Sequence, residues 1–332
     1  MHSALIITGI IVVLALSFDF INGFHDTATA VATTISTRAL KPRTAILLCA
    51  VFNFIGAFMG TAVAKTVGDD IINHKYLPQW CLIGVLVACI IWNIITWYFG
   101  IPSSSSHTLI GSLIGAGIAF NGSIDKIQWG NVFNHVVIWL VLGPAIGFIL
   151  GYIIMVSINW IFKDVKFGKA NKFFLRAEIL GTAFMALNHG ANDAQKSMGI
   201  ITMALLSGGV ISTFEVPIWV IAACACAMAL GTSVGGKKII KTMGDKMTKL
   251  TPSGGFASQI GAAISILGAT FFDAPVSTTQ VMTTTIMGVG ASQNLKSVKW
   301  GVAKEIIWAW ILTIPLSAII SGILITVVKF IM

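Results

Sequence analysis

The sequence predicts an all-α, polytopic membrane protein built from two inverted-topology repeats, and three observations carry that reading. Only 10% of the 332 residues are charged and 56% are hydrophobic, for a mean hydropathy of +0.90. A soluble chain carries about 25% charged residues. Several apolar stretches exceed the ~20 residues that span a bilayer as helix, and the short alternating segments of a membrane β-barrel are missing. Polar motifs inside those stretches occur twice. Asn22-Gly23-Phe24-His25-Asp26-Thr27 is answered by His189-Gly190-Ala191-Asn192-Asp193-Ala194. Pro102-Ser103-Ser104-Ser105-Ser106-His107 is answered by Pro275-Val276-Ser277-Thr278-Thr279-Gln280. Carboxylates and runs of hydroxyls are costly in hydrocarbon, so a duplicated set points to a transporter with one site between two repeats.

About ten crossings follow: 3–37, 44–65, 79–100, 102–121, 131–162, 177–206, 216–235, 252–272, 274–292 and 303–330. Counting the halves of broken helices separately raises the number towards twelve. Residues 3–17 run into Ser17-Phe18-Asp19 with no small-residue cleavage site, so the first segment reads as a retained helix. Segments 3–37 and 177–206 are too long for one straight span at about 1.5 Å per residue. Each holds its Gly/Asn/Asp cluster mid-way and is expected to break there into two half-helices. Segments 131–162 and 303–330 contain Pro144 and Pro315, where kinks are expected.

The net charge of +9 is placed as a topology signal, not as a nucleic-acid footprint. One set of alternate loops holds Arg38, Lys41 and Arg43; Lys163, Lys166, Lys169, Lys172 and Arg176; Lys237, Lys238, Lys241, Lys246 and Lys249; and Lys296, Lys299 and Lys304. The other holds Lys65, Lys75, Lys126 and Lys329. A sixteen-to-four split puts the first set in the cytoplasm and both termini outside. Five crossings per half is odd, so the second half enters the membrane from the opposite side, which makes the repeats inverted. The expected division is a first repeat over 1–162, a cytoplasmic linker over 163–176 and a second repeat over 177–332. Gly60-Thr61 pairs with Gly231-Thr232, Trp129-Gly130 with Trp300-Gly301, Trp139 with Trp310 and Pro144 with Pro315, all at an offset of 171. Gly115 and Gly117 pair with Gly288 and Gly290 at 173.

Asn22, Asp26, Asn192 and Asp193 are the candidate cation ligands. An ionised Asp at mid-membrane costs about 2.5–3.5 kcal/mol and needs a cation, a proton or a polar partner. Sodium, a hard cation, takes oxygen ligands, and a broken helix would add backbone carbonyls. The plainer alternative is an Asx cap on a kinked helix. Thr29, Thr33, Ser36, Thr37 and Ser197 follow the two Asp residues; they line the path or bond back to carbonyls one turn earlier. Ser103, Ser104, Ser105, Ser106, Ser277, Thr278, Thr279 and Gln280, with Asn22 and Asn192, are the candidate anion ligands. Proline suits a first helical turn, and hydroxyls beside free backbone N–H groups suit a tetrahedral oxyanion. Plain N-capping is the alternative.

Lys196 lies three residues after Asp193, where an intrahelical ion pair is the first reading and a direct anion contact the second. His25, His107 and His189 are candidate proton shuttles or hydrogen-bonding partners. Glu178 reads as a residue at a cytoplasmic helix start, and Asp19 as a neighbour of the path. Cys49, Cys81, Cys89, Cys224 and Cys226 lack metal spacing and read as packing residues.

At these residues the chain resembles the PiT family of inorganic phosphate transporters. Gly190-Ala191-Asn192-Asp193 matches the family's repeated Gly-Ala-Asn-Asp in full, Gly23-Phe24-His25-Asp26 keeps Gly and Asp, and Ala194-Gln195-Lys196 looks like the prokaryotic branch. The resemblance implies a multi-pass protein of the prokaryotic cell membrane, a homodimer with no nucleic-acid partner, and import of inorganic phosphate coupled to co-transported sodium ions or protons, with no organic cofactor. Family members that carry sulfate leave the oxyanion open. A carboxylate touching the anion would favour phosphate, whose remaining P–OH can donate, over sulfate, which has no proton to give. A channel needs weak multiple sites, whereas paired mid-membrane carboxylates fit stoichiometric coupling. A membrane phosphatase lacks metal-ligand spacing such as HExxH.

Overall fold

The computed structural model describes residues 2–234, 239–240 and 250–331. The chain is helical over most of that length, and the described residues contain no strand beyond a single Ile72–Ile127 bridge. The helices are α1 (His2–Ser36), α2 (Pro42–Gly56), α3 (Ala62–Gly68), α4 (Cys81–Phe99), α5 (Ser105–Asn121) and α6 (Trp129–Asn131). A π turn over Val132–Val137 leads into α7 (Ile138–Ile161). Then come α8 (Phe167–Ser207), α9 (Ile218–Val234), α10 (Pro252–Phe271), α11 (Thr278–Gln293) and α12 (Trp300–Ile331).

Local chemistry sets most of the boundaries. Pro42 and Pro252 open α2 and α10 at positions where a missing N–H costs nothing. Ser104, Thr251 and Ser277 cap α5, α10 and α11 by accepting from the amides of His107, Gly254 and Gln280. Gly100 closes α4 in the left-handed region at φ 68°. Among the described residues five helical spans are long and apolar enough to cross a membrane: Ala4–Ser36, Cys81–Phe99, Trp129–Ile161, Pro252–Phe271 and Trp300–Ile331. Pro42–Gly56 and Ile218–Val234 are apolar but shorter.

Several expectations need correction. The segment 44–65 is not one helix, because α2 ends at Gly56 and a short α3 begins at Ala62. Helix α8 starts at Phe167, ten residues before the expected 177, so Lys169, Lys172 and Arg176 are helical. Part of the basic set expected in the cytoplasm, Lys237, Lys238, Lys241, Lys246 and Lys249, lies outside the described residues, as does residue 235 at the end of one expected crossing.

The largest correction concerns the half-helices. Helices α1 and α8 run unbroken through both Asp motifs, over 35 and 41 residues. The glycines there serve approach between helices. A Cβ on Gly23 would strike the backbone of Met228 and Thr232 in α9, and one on Gly190 would strike the backbone of Asn53 in α2. Gly231 and Gly56 answer from the partner helices, against Phe20 and Leu187. Backbone hydrogen bonding is therefore kept, and the site draws on side chains instead of freed carbonyls. The chain breaks elsewhere, at 57–61, at 100–104 and at 272–277.

Two large apolar cores flank these motifs. In α1, Ile11, Ala15 and Phe18 belong to one core, and Ala28, Ala30, Val31 and Ala32 to the other. In α8, Ala194 and Met198 belong to the first, and Met185 and Ala186 to the second. The polar runs 19–27 and 188–193 sit where each helix passes between cores. Helix α1 packs on α8 and α9, α8 on α2 and α10, α5 on α12, and α11 on α7.

Candidate functional site

The two Asp motifs meet. Ligating atoms of Asp26, Asp193 and His189 all lie within 4.8 Å of one another, and all three residues are buried. At that spacing two carboxylates repel by about 3 kcal/mol at an effective dielectric near 20. The surroundings must therefore supply positive charge or donors.

They supply both. Asp26 Oδ2 accepts from Ser105 Oγ at 2.5 Å, and its Oδ1 accepts from Thr279 Oγ1 at 3.1 Å. His25 Nδ1 lies 2.6 Å from the same Oδ1. Asp193 Oδ1 is 2.7 Å from Lys196 Nζ. Asp193 Oδ2 accepts from Asn22 Nδ2 and from Thr278 Oγ1, each at 3.4 Å, and His189 Nε2 stands 3.4 Å away. Each carboxylate thus takes a hydroxyl from the start of α5 or α11. The carboxamide oxygens of Asn22 and Asn192 are buried and have no hydrogen-bond partner. Asn22 is in contact with Asp193, so its unpaired oxygen and the two carboxylates form a donor set suited to a hard cation, whereas no hydrogen bond ties Asn192 to either carboxylate.

The hydroxyl motifs also meet each other. Ser106 Oγ donates to the Val276 carbonyl at 2.6 Å, and Gln280 Nε2 donates to His107 Nδ1 at 3.1 Å. Trp310 Nε1 donates to the Pro102 carbonyl at 3.0 Å and ties α12 to the entrance of α5. The roles within the motifs divide. Ser105, Thr278 and Thr279 face the carboxylates, while the oxygens of Ser104 and Ser277 are engaged as helix caps. Ser103 Oγ donates to Thr96 Oγ1 at 2.9 Å, and Thr96 in turn reaches His25 Nε2 at 3.1 Å. Asn192 turns its amide nitrogen to Thr270 and to the Ala274 carbonyl, holding the break between α10 and α11. Of the path hydroxyls, Thr29 bonds back to the Asp26 carbonyl, Ser197 donates to Asp19 Oδ1 and Thr37 donates to Glu178 Oε2. Glu178 is wholly buried inside α8, not at a helix start.

Asn53 was invisible as a partner in the sequence. Its Nδ2 donates to Thr27 Oγ1 and Thr232 Oγ1, each at 3.0 Å, and its Oδ1 faces His189 Nδ1 at 3.1 Å. The only sequence signal was one amide in an otherwise apolar stretch of α2. Replacing Asn53 by Leu takes the partner from buried His189 Nδ1, while Thr27 and Thr232 keep their mutual bond at 3.0 Å, at a cost of about 1–3 kcal/mol. A lowered midpoint in thermal unfolding of the detergent-purified protein is the expected result, and an unchanged midpoint would remove this network from the account.

Comparison with known proteins places the whole chain. Residues 22–321 match the profile of the "Phosphate transporter family". A "probable low-affinity inorganic phosphate transporter" of Bacillus subtilis (strain 168) is 49% identical over 326 residues, covering 97% of each chain. A protein of the same description from Rhizobium meliloti (strain 1021) is 43% identical and covers 94% of each. A solved structure titled "The sodium-dependent phosphate transporter" superposes with a TM-score of 0.86 at 25% identity, over 98% of this chain and 100% of that one.

Proposed function

The chain belongs to the Phosphate transporter family, and from that premise we propose that it imports inorganic phosphate by symport with sodium ions across the cell membrane. It is a membrane-embedded transporter and not an enzyme. The observation that carries the symport reading is the convergence of both motif pairs on one buried centre, with Asp26 and Asp193 each facing a hydroxyl from the start of α5 or α11. Sodium is bound by Asn22, Asp26 and Asp193. Phosphate is held by the hydroxyls at the starts of α5 and α11, where unpaired backbone N–H groups and the helix dipole favour an anion. A phosphate P–OH can donate to a carboxylate there, which sulfate cannot match.

The site residues are sealed from solvent, with Asp193 at 0% and Asp26 at 2% exposure. Transport therefore requires motion, and we infer alternating access by rocking of two inverted halves in a homodimeric protein. The matched indole bonds, Trp129 Nε1 to Ile124 and Trp300 Nε1 to Leu295, at 2.9 and 2.8 Å, support a repeat. So do the matched caps at Ser104 and Ser277. A second reading, proton coupling, has its own support in the 2.6 Å approach of His25 to Asp26.

Labelled phosphate uptake into proteoliposomes separates the readings, under a sodium gradient, then a proton gradient alone, with sulfate as competitor. Sodium-driven uptake that sulfate leaves untouched and Asp193→Asn abolishes is the expected result. Uptake needing only a proton gradient would reassign the carboxylates to proton carriage, and strong sulfate competition would undo the choice of phosphate.

A further inference from the structure

The two Asp motifs differ three residues on. With Asp26 aligned to Asp193, Thr29 stands where Lys196 stands. Thr29 turns its hydroxyl back to the Asp26 carbonyl at 2.6 Å and leaves the carboxylate alone. Lys196 brings its ammonium to 2.7 Å from Asp193 Oδ1, with both side chains at 0% exposure. It is the one Lys or Arg among the described residues whose side chain is buried. A buried ion pair recovers its desolvation cost poorly, so stability is a weak account of why this one exists.

The contacts at the two carboxylates differ accordingly. Asp26 makes no ion pair with a lysine, though the Lys196 charge reaches it through the shared cluster, and it takes its partners at 2.5, 2.6 and 3.1 Å. Asp193 has its short contact from Lys196, and the others stand at 3.4 Å. Asp19, a further buried carboxylate, accepts from Ser197 Oγ at 2.7 Å and makes no ion pair with the lysine, whose charge acts on it from a distance.

We propose that Lys196 is a tethered cation: at Asp193 Oδ1 its ammonium supplies one of the two positive charges that the paired carboxylates call for, so phosphate travels with one mobile cation, bound at the centre that Asp26 shares with the other oxygen of Asp193. Lys196 thereby sets the coupling ratio. The inference rests on the symport reading above, since it assigns how many cations that symporter needs. An ammonium and a sodium ion satisfy the same carboxylate charge, but only the ammonium stays with the protein through the cycle.

The test is dual-label flux in proteoliposomes, reading sodium and phosphate together for the wild type, Lys196→Gln and Lys196→Arg. The wild type and Lys196→Arg are expected to move one sodium per phosphate, and Lys196→Gln two, with a steeper dependence of uptake on sodium. An unchanged ratio in Lys196→Gln overturns the proposal. Equilibrium sodium binding to the purified wild type at saturating phosphate keeps the question open to decision if Lys196→Gln does not fold: one ion per chain supports it, and two overturn it. If protons alone drive uptake, sodium symport fails, and the same ratios read with a pH indicator judge the lysine.

Discussion

Asp26→Asn is expected to lower sodium-driven phosphate uptake by about 100-fold or more while the protein still inserts and purifies. Asp26 is the carboxylate with no ion-paired lysine, so removing its charge takes away the partner of whichever mobile cation binds. It also takes the charge from an acceptor that receives Ser105 and Thr279 and lies against His25. A hydrogen bond to a charged group is worth about 1.5–3 kcal/mol, and 1.4 kcal/mol is a factor of ten in an equilibrium. Weakening two such bonds, with loss of the cation's charge partner, reaches the stated magnitude. The carboxamide is nearly isosteric, so the surrounding packing is kept. The measurement is the initial rate of labelled phosphate uptake into proteoliposomes under a sodium gradient, normalised to inserted protein. A rate within a few-fold of the wild type would remove Asp26 from the centre of the site.

Why that residue could be picked from sequence, and its neighbours could not, is a matter of cost. A carboxylate in an apolar stretch has few explanations, and a repeated one fewer still. Asp26, Asp193 and the two hydroxyl runs therefore stood out on desolvation alone. Their convergence was suggested by the repeat, but which hydroxyl faces which carboxylate was not. Ser105 and Thr279 reach Asp26 while Thr278 reaches Asp193, so the start of α11 serves both carboxylates. Asn53, Thr96 and Thr232 each look like one tolerated polar group, and only tertiary contact joins them to His25 or His189. The misread half-helices have a related cause. Gly and Asn are poor helix formers, so local propensity argues for a break at each motif. Tertiary packing decides otherwise, because the same glycines let α1 close on α9 and α8 close on α2.

The same close approach makes the motif glycines hard to replace. Gly190→Ala is expected to destabilise the protein by about 1–3 kcal/mol or more, the range for overpacking a well-fitted interior. The new Cβ would meet the carbonyl oxygen, Cα and carbonyl carbon of Asn53. Backbone atoms cannot swing aside as a flexible side chain can, so α2 and α8 must separate. Their separation also pulls Asn53 from His189, which sits one residue before the glycine. Gly9→Ala is the matched control, since nothing lies within 4 Å of a Cβ there. In a helix interior that change is expected to be neutral or to stabilise by about 0.5–1 kcal/mol, because alanine loses less backbone freedom. The two readings of the motif glycines predict opposite signs for Gly190→Ala. If glycine were there to break α8, alanine would strengthen the helix and raise the unfolding temperature. If it is there for contact, the temperature falls and phosphate uptake falls with it. Thermal unfolding of both variants in the same detergent decides between contact and break at this motif.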